Sequence, residues 1–246
     1  MKISTIIIAK NEASNLKKIL PRLHWCDDIV LIDDNSTDET ANVATQFNAR
    51  VFKRSFDGFG PQKQFAVAQT LNEWVLNIDA DEYLSDALIE ELTQFSPQAN
   101  TDAYEIPIQH VFLGKVFNYG KESRYMHTRL FNKTSANFDA AIVHEKVKHN
   151  GPLGHLKGRI LHYSYRDKAH YFEKLEKYAQ QGALKLQTKG KHRPLWLCYA
   201  LYPIYFLKHY IVYGNILNGS AGFTWSYLSA WYHTLKYIKL NQLNHG

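Results

Sequence analysis

Three clusters of oxygen-bearing side chains each follow a run of aliphatic residues. Ile3–Ile8 leads into Ala9-Lys10-Asn11-Glu12, Ile29–Ile32 into Asp33-Asp34-Asn35-Ser36-Thr37-Asp38, and Trp74–Ile78 into Asp79-Ala80-Asp81-Glu82. A single cluster of this kind serves as well for a helix cap, because Ser, Thr and Asp accept from the free N–H groups of a first helical turn. Three in succession ask for a ligand. Carboxylates gathered at one edge repel each other unless they hold a hard cation, which takes oxygen ligands and bridges readily to phosphate oxygens. In extended chain residues two apart point the same way, so Asp79 and Asp81 can address one nucleotide diphosphate and its metal ion, Mg2+ or Mn2+.

The elements that must position these residues alternate. A β-branched run at Ile3–Ile8, a helical stretch Asn15–Leu23, a run Ile29–Ile32, a helix Thr37–Phe47, a short strand Arg50–Phe52, a helix near Gln62–Leu71 and the run Trp74–Ile78 make a β-α-β-α-β pattern. Continuous apolar strands between helices mean a parallel sheet covered on both faces, with right-handed crossovers. The fold class is therefore α/β with a mostly parallel central sheet. Ligands of such sheets lie beyond the carboxyl ends of the strands, where all three clusters fall. Further on, a helix is expected at Ala87–Phe95, strands at Tyr104–Ile108, Arg129–Phe131 and Ile142–Val147, and an amphipathic helix over Ala169–Gln187. Gly190–Pro194 breaks the pattern, which divides the chain into a domain at 1–190 and a tail at 191–246.

The segments STIIIAKNEASNL, IVLIDDNSTDET, DGFGPQKQFAVA and WVLNIDADEYL resemble the inverting family 2 glycosyltransferases of the GT-A fold. RLFNK at 129–133, VHEKV at 143–147, LHYSY at 161–165 and the helix YFEKLEKYAQQGA are similar to bacterial enzymes that add β-1,4-glucose to the first heptose of the lipopolysaccharide inner core. The resemblance implies a UDP-sugar donor and a lipid-linked oligosaccharide acceptor. It also implies that Ala9, Asn11, Glu12 and Asp34 hold uracil and ribose, that Asp79 faces ribose and metal, and that Asp81 is the direct metal ligand. Lys63 would lie near the diphosphate or the donor sugar, where a lysine acts as a point charge.

Inverting transfer needs a base opposite the leaving group to take the proton of the attacking hydroxyl. The family often carries it in a Glu-Asp pair after the metal site, and 83–194 contain no such pair. The nearest substitute is Glu145, with Asp139 and His144 as alternatives. Cations must also meet the departing UDP. Arg129 suits a phosphate of the donor or of the acceptor, and His162 suits the diphosphate or the metal; a buried ion pair and a satisfied core histidine are the structural readings of these two residues.

Charge is unevenly spread over the 246 residues. Residues 1–145 carry 14 Lys and Arg against 20 Asp and Glu, whereas 146–246 carry 15 against 3. From Leu195 onward there is no acid, and 13 of the 34 aromatic residues lie there. Leu195–Leu207 is short of the roughly 20 residues of a spanning helix and contains Pro203, so helices around Leu195–Asn215 and Gly222–Leu240 are expected to lie on an anionic membrane surface or to cap the domain. Ile3–Ala9 is too short for a signal sequence, which places the chain in the cytoplasm, peripheral on the inner membrane. Two cysteines make no disulfide framework. Rival readings are a same-family enzyme acting on another lipid-linked or polysaccharide acceptor, a metal-dependent phosphohydrolase, a sugar nucleotidyltransferase and a non-enzymatic membrane adaptor. AKNEASN lacks the glycines of a nucleotidyltransferase phosphate loop. Nucleic acid is not an expected partner, because the amino-terminal carboxylates would repel it.

Overall fold

The computed structural model describes residues 1–123, 125–165 and 168–245. Its first segment is the alternating pattern: β1 (Ile3–Ala9), α1 (Ala13–Ile19), β2 (Asp28–Asp33), α2 (Thr40–Gln46), β3 (Arg50–Lys53), α3 (Phe59–Ala68) and β4 (Trp74–Asp79). The four strands run parallel in the order β3-β2-β1-β4. Both faces are covered, which explains the near-continuous apolar runs. Alternate residues of each strand enter different layers: Ile7, Leu31, Leu76 and Ile78 pack with Leu16, Ile19 and Leu20, while Ile6, Val30, Ile32 and Val75 pack with Ala66, Val67 and Phe131. Register brings the acidic ends level, with Ala9 opposite Asp33 and Ile8 opposite Asp79.

The rest of this sheet is mostly antiparallel, with Leu153–His155 pairing in parallel to Ala103–Glu105. β5 (Glu82–Leu84) and α4 (Asp86–Thr93) are followed by β6 (Ala103–Phe112), β7 (Lys115–Val116), β8 (Tyr125–Asn132), β9 (Asn137–Phe138), β10 (Val147–Lys148), β11 (Leu153–His155) and β12 (Ile160–His162). β8 pairs with β4 and with β6, and β12 pairs with β5 at the far edge, giving the order β3-β2-β1-β4-β8-β6-β12-β5.

The expected strand at Ile142–Val147 is not formed: only Val147–Lys148 pairs, with Asn137–Phe138. No sheet covers Ile142, which is 67 % exposed, and the main chain before it is spent on the start of α3, where Phe59 and Gly60 N–H groups donate to the carbonyls of Ile142 and Ala141.

The carboxyl-terminal helices are α5 (Lys168–Gln187), α6 (Leu195–Ala200), α7 (Tyr202–Leu207) and α8 (Gly219–His245). The helix expected over Leu195–Asn215 is thus broken. Pro203 starts α7, a π-helical turn occupies Lys208–Val212, and Gly214 adopts φ +76° before a 3-10 turn at Asn215–Asn218. The helix expected at Gly222–Leu240 is longer at both ends.

The chain forms two compact units, one of Met1–Ile108 with Tyr125–His162 and the other of Gln109–Arg124 with Tyr163–Gly246. The second therefore groups 109–124 and α5 with the last helices, whereas the sequence reading places both with the first 190 residues. Its core joins Phe112 and Phe117 to Tyr171, Leu175, Ala221, Leu228 and Leu235. Buried Glu122 accepts from Trp225 Nε1 at 2.9 Å and Asn215 Nδ2 at 3.2 Å. Among the described residues, no helix is long and apolar enough to cross a membrane.

Candidate active site

At the ends of β1 and β2 the chain is tied into one surface. Asp34 N–H donates to Ala9 O, and Lys10 Nζ lies 2.9 Å from Asp34 Oδ2. Asp34 Oδ1 accepts from the Phe56 N–H at 3.0 Å. The Lys10 hydrogen bond, helped by that N–H, holds the Asp34 carboxyl below its ordinary range. Asn11 sits at φ +56°, a region asparagine tolerates, and there its N–H donates to Ser36 Oγ while its Oδ1 accepts from the Thr37 N–H. Glu12 N–H donates to Thr40 Oγ1, and its carboxylate accepts from Asn15. Asp33, fully buried, accepts from Ser36 N–H through Oδ1; its Oδ2 has no hydrogen-bond partner among the described residues.

At the end of β4 the charges alternate. Lys63, on α3 and buried, places Nζ 2.5 Å from Glu145 Oε1 and 3.6 Å from Asp79 Oδ1. Asp79 Oδ2 is 3.0 Å from Arg129 Nη2, which is also 2.5 Å from Glu82 Oε1. Glu82 Oε2 accepts from the Asp79 N–H. Desolvation at the sheet edge opposes the charge of Asp79, whose side chain is still 42 % exposed; the Arg129 and Lys63 cations outweigh it and hold the carboxyl well below its usual range. Glu82 is 1 % exposed, and burial pushes its carboxyl up to about 7 against the pull of Arg129. Asp81 belongs to a separate contact, its Oδ2 lying 3.2 Å from His162 Nε2 on β12. Burial disfavours the imidazolium of His162, but this hydrogen bond and the Asp81 charge raise its pKa above the ordinary value.

The loop 139–146 delivers Glu145. Phe59 and Gly60 N–H groups tie it to α3, and a Cβ on Gly60 would lie 2.3 Å from Asp139 O and 2.7 Å from Ala141 O, so only glycine permits this approach. Asp139 is used by the loop itself, where Oδ1 accepts from the N–H groups of Ala141 and Lys146. His144 is exposed at φ +62°. Lys63, Asp79, Arg129 and Glu145 thus meet in one network, Asp81 meets His162, and Ala9, Asn11, Glu12 and Asp34 line the adjoining strand ends, while among the described residues no hydrogen bond or ion pair joins Asp139 or His144 to the network.

Sequence reasoning missed Lys10, Asp33 and Glu82. Glu82 stands in the DADE run, but only its burial against Arg129 distinguishes it from a solvated acid.

Acids and cations thus gather at the carboxyl edge of the parallel sheet. An uncharacterised glycosyltransferase of Rickettsia prowazekii (strain Madrid E) is 30 % identical over 256 residues, covering 99 % of this chain and 88 % of that one. The lipopolysaccharide core biosynthesis glycosyltransferase LpsC of Rhizobium meliloti (strain 1021) is 28 % identical over 248 residues, covering 98 % and 92 %. Among solved structures, the mannosyltransferase PcManGT of Pyrobaculum calidifontis, in complex with GDP-Man and Mn2+, shares the fold with a TM-score of 0.54 at 13 % identity, over 98 % of this chain and 87 % of that chain. The sequence model described as glycosyl transferase family 2 matches residues 4–153, the segment that carries all three acidic strand ends and the Lys63–Glu145 pair, and the chain belongs to that family.

Proposed function

We propose that the chain transfers a hexose, glucose in the reading the sequence resemblance favours, from a UDP-sugar to a heptose of a lipopolysaccharide inner core, with inversion at C1. The observation that carries the reading is the Lys63 ammonium held between Glu145 and Asp79 at the mouth of the parallel sheet. A full-length similarity to LpsC supports the class of acceptor.

In this reading the nucleoside lies against Asn11, Glu12 and Asp34, and the diphosphate lies toward Lys63 and Arg129. The acceptor oxygen attacks C1, the bond from C1 to the phosphate oxygen breaks, and Glu145 receives the hydroxyl proton. Glu145 is preferred over Asp139, whose carboxylate is spent on its own turn, and over exposed His144.

A divalent cation fits Asp81 and His162. Their ligand atoms converge at 3.2 Å, and an oxygen with an imidazole nitrogen is a donor set that Mn2+ accepts. Among the described residues no three His, Cys, Asp or Glu side chains come together, so an ion held by Asp81 and His162 would need further oxygen ligands, of the kind a diphosphate offers. The ion supplies charge to the departing diphosphate. Asp79 is engaged by Arg129 and Lys63.

The second unit suits a membrane-borne acceptor. Trp196 is 70 % and Val212 75 % exposed, Ile204, Ile211 and Leu217 are exposed as well, and no acid lies in 195–246. Such a surface partitions into the headgroup layer of an anionic leaflet, which fits a cytoplasmic, peripheral protein.

The test is transfer of label from a panel of UDP-hexoses, with Mg2+ or Mn2+, to heptose-terminated core oligosaccharide, with the product linkage read by NMR. A β-linked hexose on heptose is expected. Transfer to no heptose-bearing acceptor overturns the reading.

A further inference from the structure

The loop between β3 and α3 spans the site. At one end the Phe56 N–H is fixed on Asp34, and at the other the Phe59 and Gly60 N–H groups are fixed on the loop that carries Glu145. Between them Gly58 takes φ +131°, a conformation other residues rarely adopt, and its Cα faces Ile142, so that a Cβ would stand 3.1 Å from Ile142 Cα. This turn brings the two phenyl rings edge to face at 4.9 Å. The result is unusual for apolar groups. Phe56 and Phe59 are each more than 40 % exposed, and Ile142 and Val143 more than half. Phe59 lies one helical turn before Lys63, and Ile142 lies three residues before Glu145. An exposed apolar patch built on two pinned segments beside a polar cluster marks a ligand-binding surface rather than failed packing.

We propose that Phe56, Phe59 and Ile142 form the acceptor subsite and receive the apolar face of an acceptor sugar ring. The inference rests on the glycosyltransfer reading above and names the surface that orients its second substrate. The C–H face of a pyranose is apolar and weakly positive, and meets the negative face of an aromatic ring. A ring laid on this platform has its hydroxyls beside Glu145, the group that takes the proton. Phe59 is continuous with Lys63 along α3 and Ile142 with Glu145 along its loop, so the occupant is the acceptor, whose attacking hydroxyl must reach Glu145.

The experiment compares the full-length protein with Phe56→Ser, Phe59→Ser and the double variant; the rings are exposed, so the fold is kept, and circular dichroism verifies it. With deacylated, soluble core oligosaccharide the acceptor KM rises at least tenfold in the double variant, the UDP-sugar KM stays within twofold, and Phe59→Trp restores the acceptor KM. A rise in the UDP-sugar KM alone assigns the platform to the donor and overturns the proposal. So does loss of liposome flotation with an unchanged acceptor KM, which assigns it to lipid. Saturation-transfer NMR of the oligosaccharide with the UDP-loaded protein separates this inference from the function itself. If wild type transfers nothing, saturation of ring C–H protons that disappears in the double variant still supports the platform, and equal or absent saturation overturns it.

Discussion

Lys63 Nζ contacts Glu145 Oε1 at 2.5 Å while standing 3.6 Å from Asp79 Oδ1, so one buried ammonium links the end of β4 to a loop residue 82 positions away from it in sequence. An ion-paired carboxylate is a poor proton acceptor. In the proposed mechanism a diphosphate arriving near Lys63 would compete for that ammonium and free Glu145 to act once the donor is in place. Donor binding before acceptor is the expected consequence, and calorimetry should then find acceptor oligosaccharide binding to the UDP-loaded protein and not to the free protein.

Replacing the ammonium tests this link. Lys63→Met leaves two carboxylates without their common partner, and breaking a buried pair costs about 3–5 kcal/mol of stability. Transfer should fall at least a hundredfold. Combining it with Glu145→Gln should be no worse in rate than the poorer single variant, and recover part of the lost stability, which a double-mutant cycle of rates and urea midpoints measures.

The base assignment orders three variants. Glu145→Gln lowers kcat by about 10²–10⁴ with little change in UDP-sugar affinity. Asp139→Asn weakens a turn and costs less, and His144→Ala costs least. Steady-state kinetics that rank Asp139→Asn below Glu145→Gln in kcat would move the role to Asp139.

For the cation, Asp81→Asn nearly abolishes transfer without loss of fold, since a carboxylate at a strand end contributes little packing. EDTA does the same to the wild type, and added Mn2+ restores it. Calorimetry of Mn2+ in the presence of UDP should give weaker binding for both Asp81→Asn and His162→Ala; full activity in metal-free buffer refutes the assignment.

Acid should weaken the second unit. His233 is stacked on Tyr205 at 4.6 Å and faces Lys236, His209, Lys208 and Arg193. Burial, reinforced by those cations, lowers its pKa from 6.5 to about 4. The unfolded chain therefore binds a proton that the folded one refuses, and stability is lost as pH falls from about 6.5 toward 4 and is unaffected above that window. Urea unfolding at pH 7.5, 6 and 5 should show this slope, and His233→Gln should flatten it.

The exposed apolar ridge predicts flotation with anionic liposomes at low salt. Salt should weaken it by screening the lysines but leave an apolar remainder. Trp196→Ser with Val212→Asp should remove that remainder while transfer to soluble oligosaccharide persists.

Much of the site was legible because its signals are local. Asp34, Asp79 and Asp81 follow aliphatic runs, and their strands, β2 and β4, flank β1 on its two sides. Lys63 and Arg129 carried no such signal, and it is the network with Asp79, Glu82 and Glu145 that gives them meaning. The β-branched pair Ile142-Val143 suggested a strand, but strand propensity reflects a pleated surface to pack on, and none is offered there. The second unit was the least legible part. Glu122 and Trp225 are bonded across 103 residues, and periodicity along a helix does not reveal which distant segment covers its apolar face.

The second unit leaves and rejoins the sheet's chain at Ile108/Gln109, Arg124/Tyr125 and His162/Tyr163. Three covalent crossings make it a poor cassette for recombination. A chimera that exchanges only the carboxyl-terminal helices between relatives would strand Phe112, Phe117 and Glu122 opposite foreign side chains, so a working exchange must carry 109–124 together with 163–246.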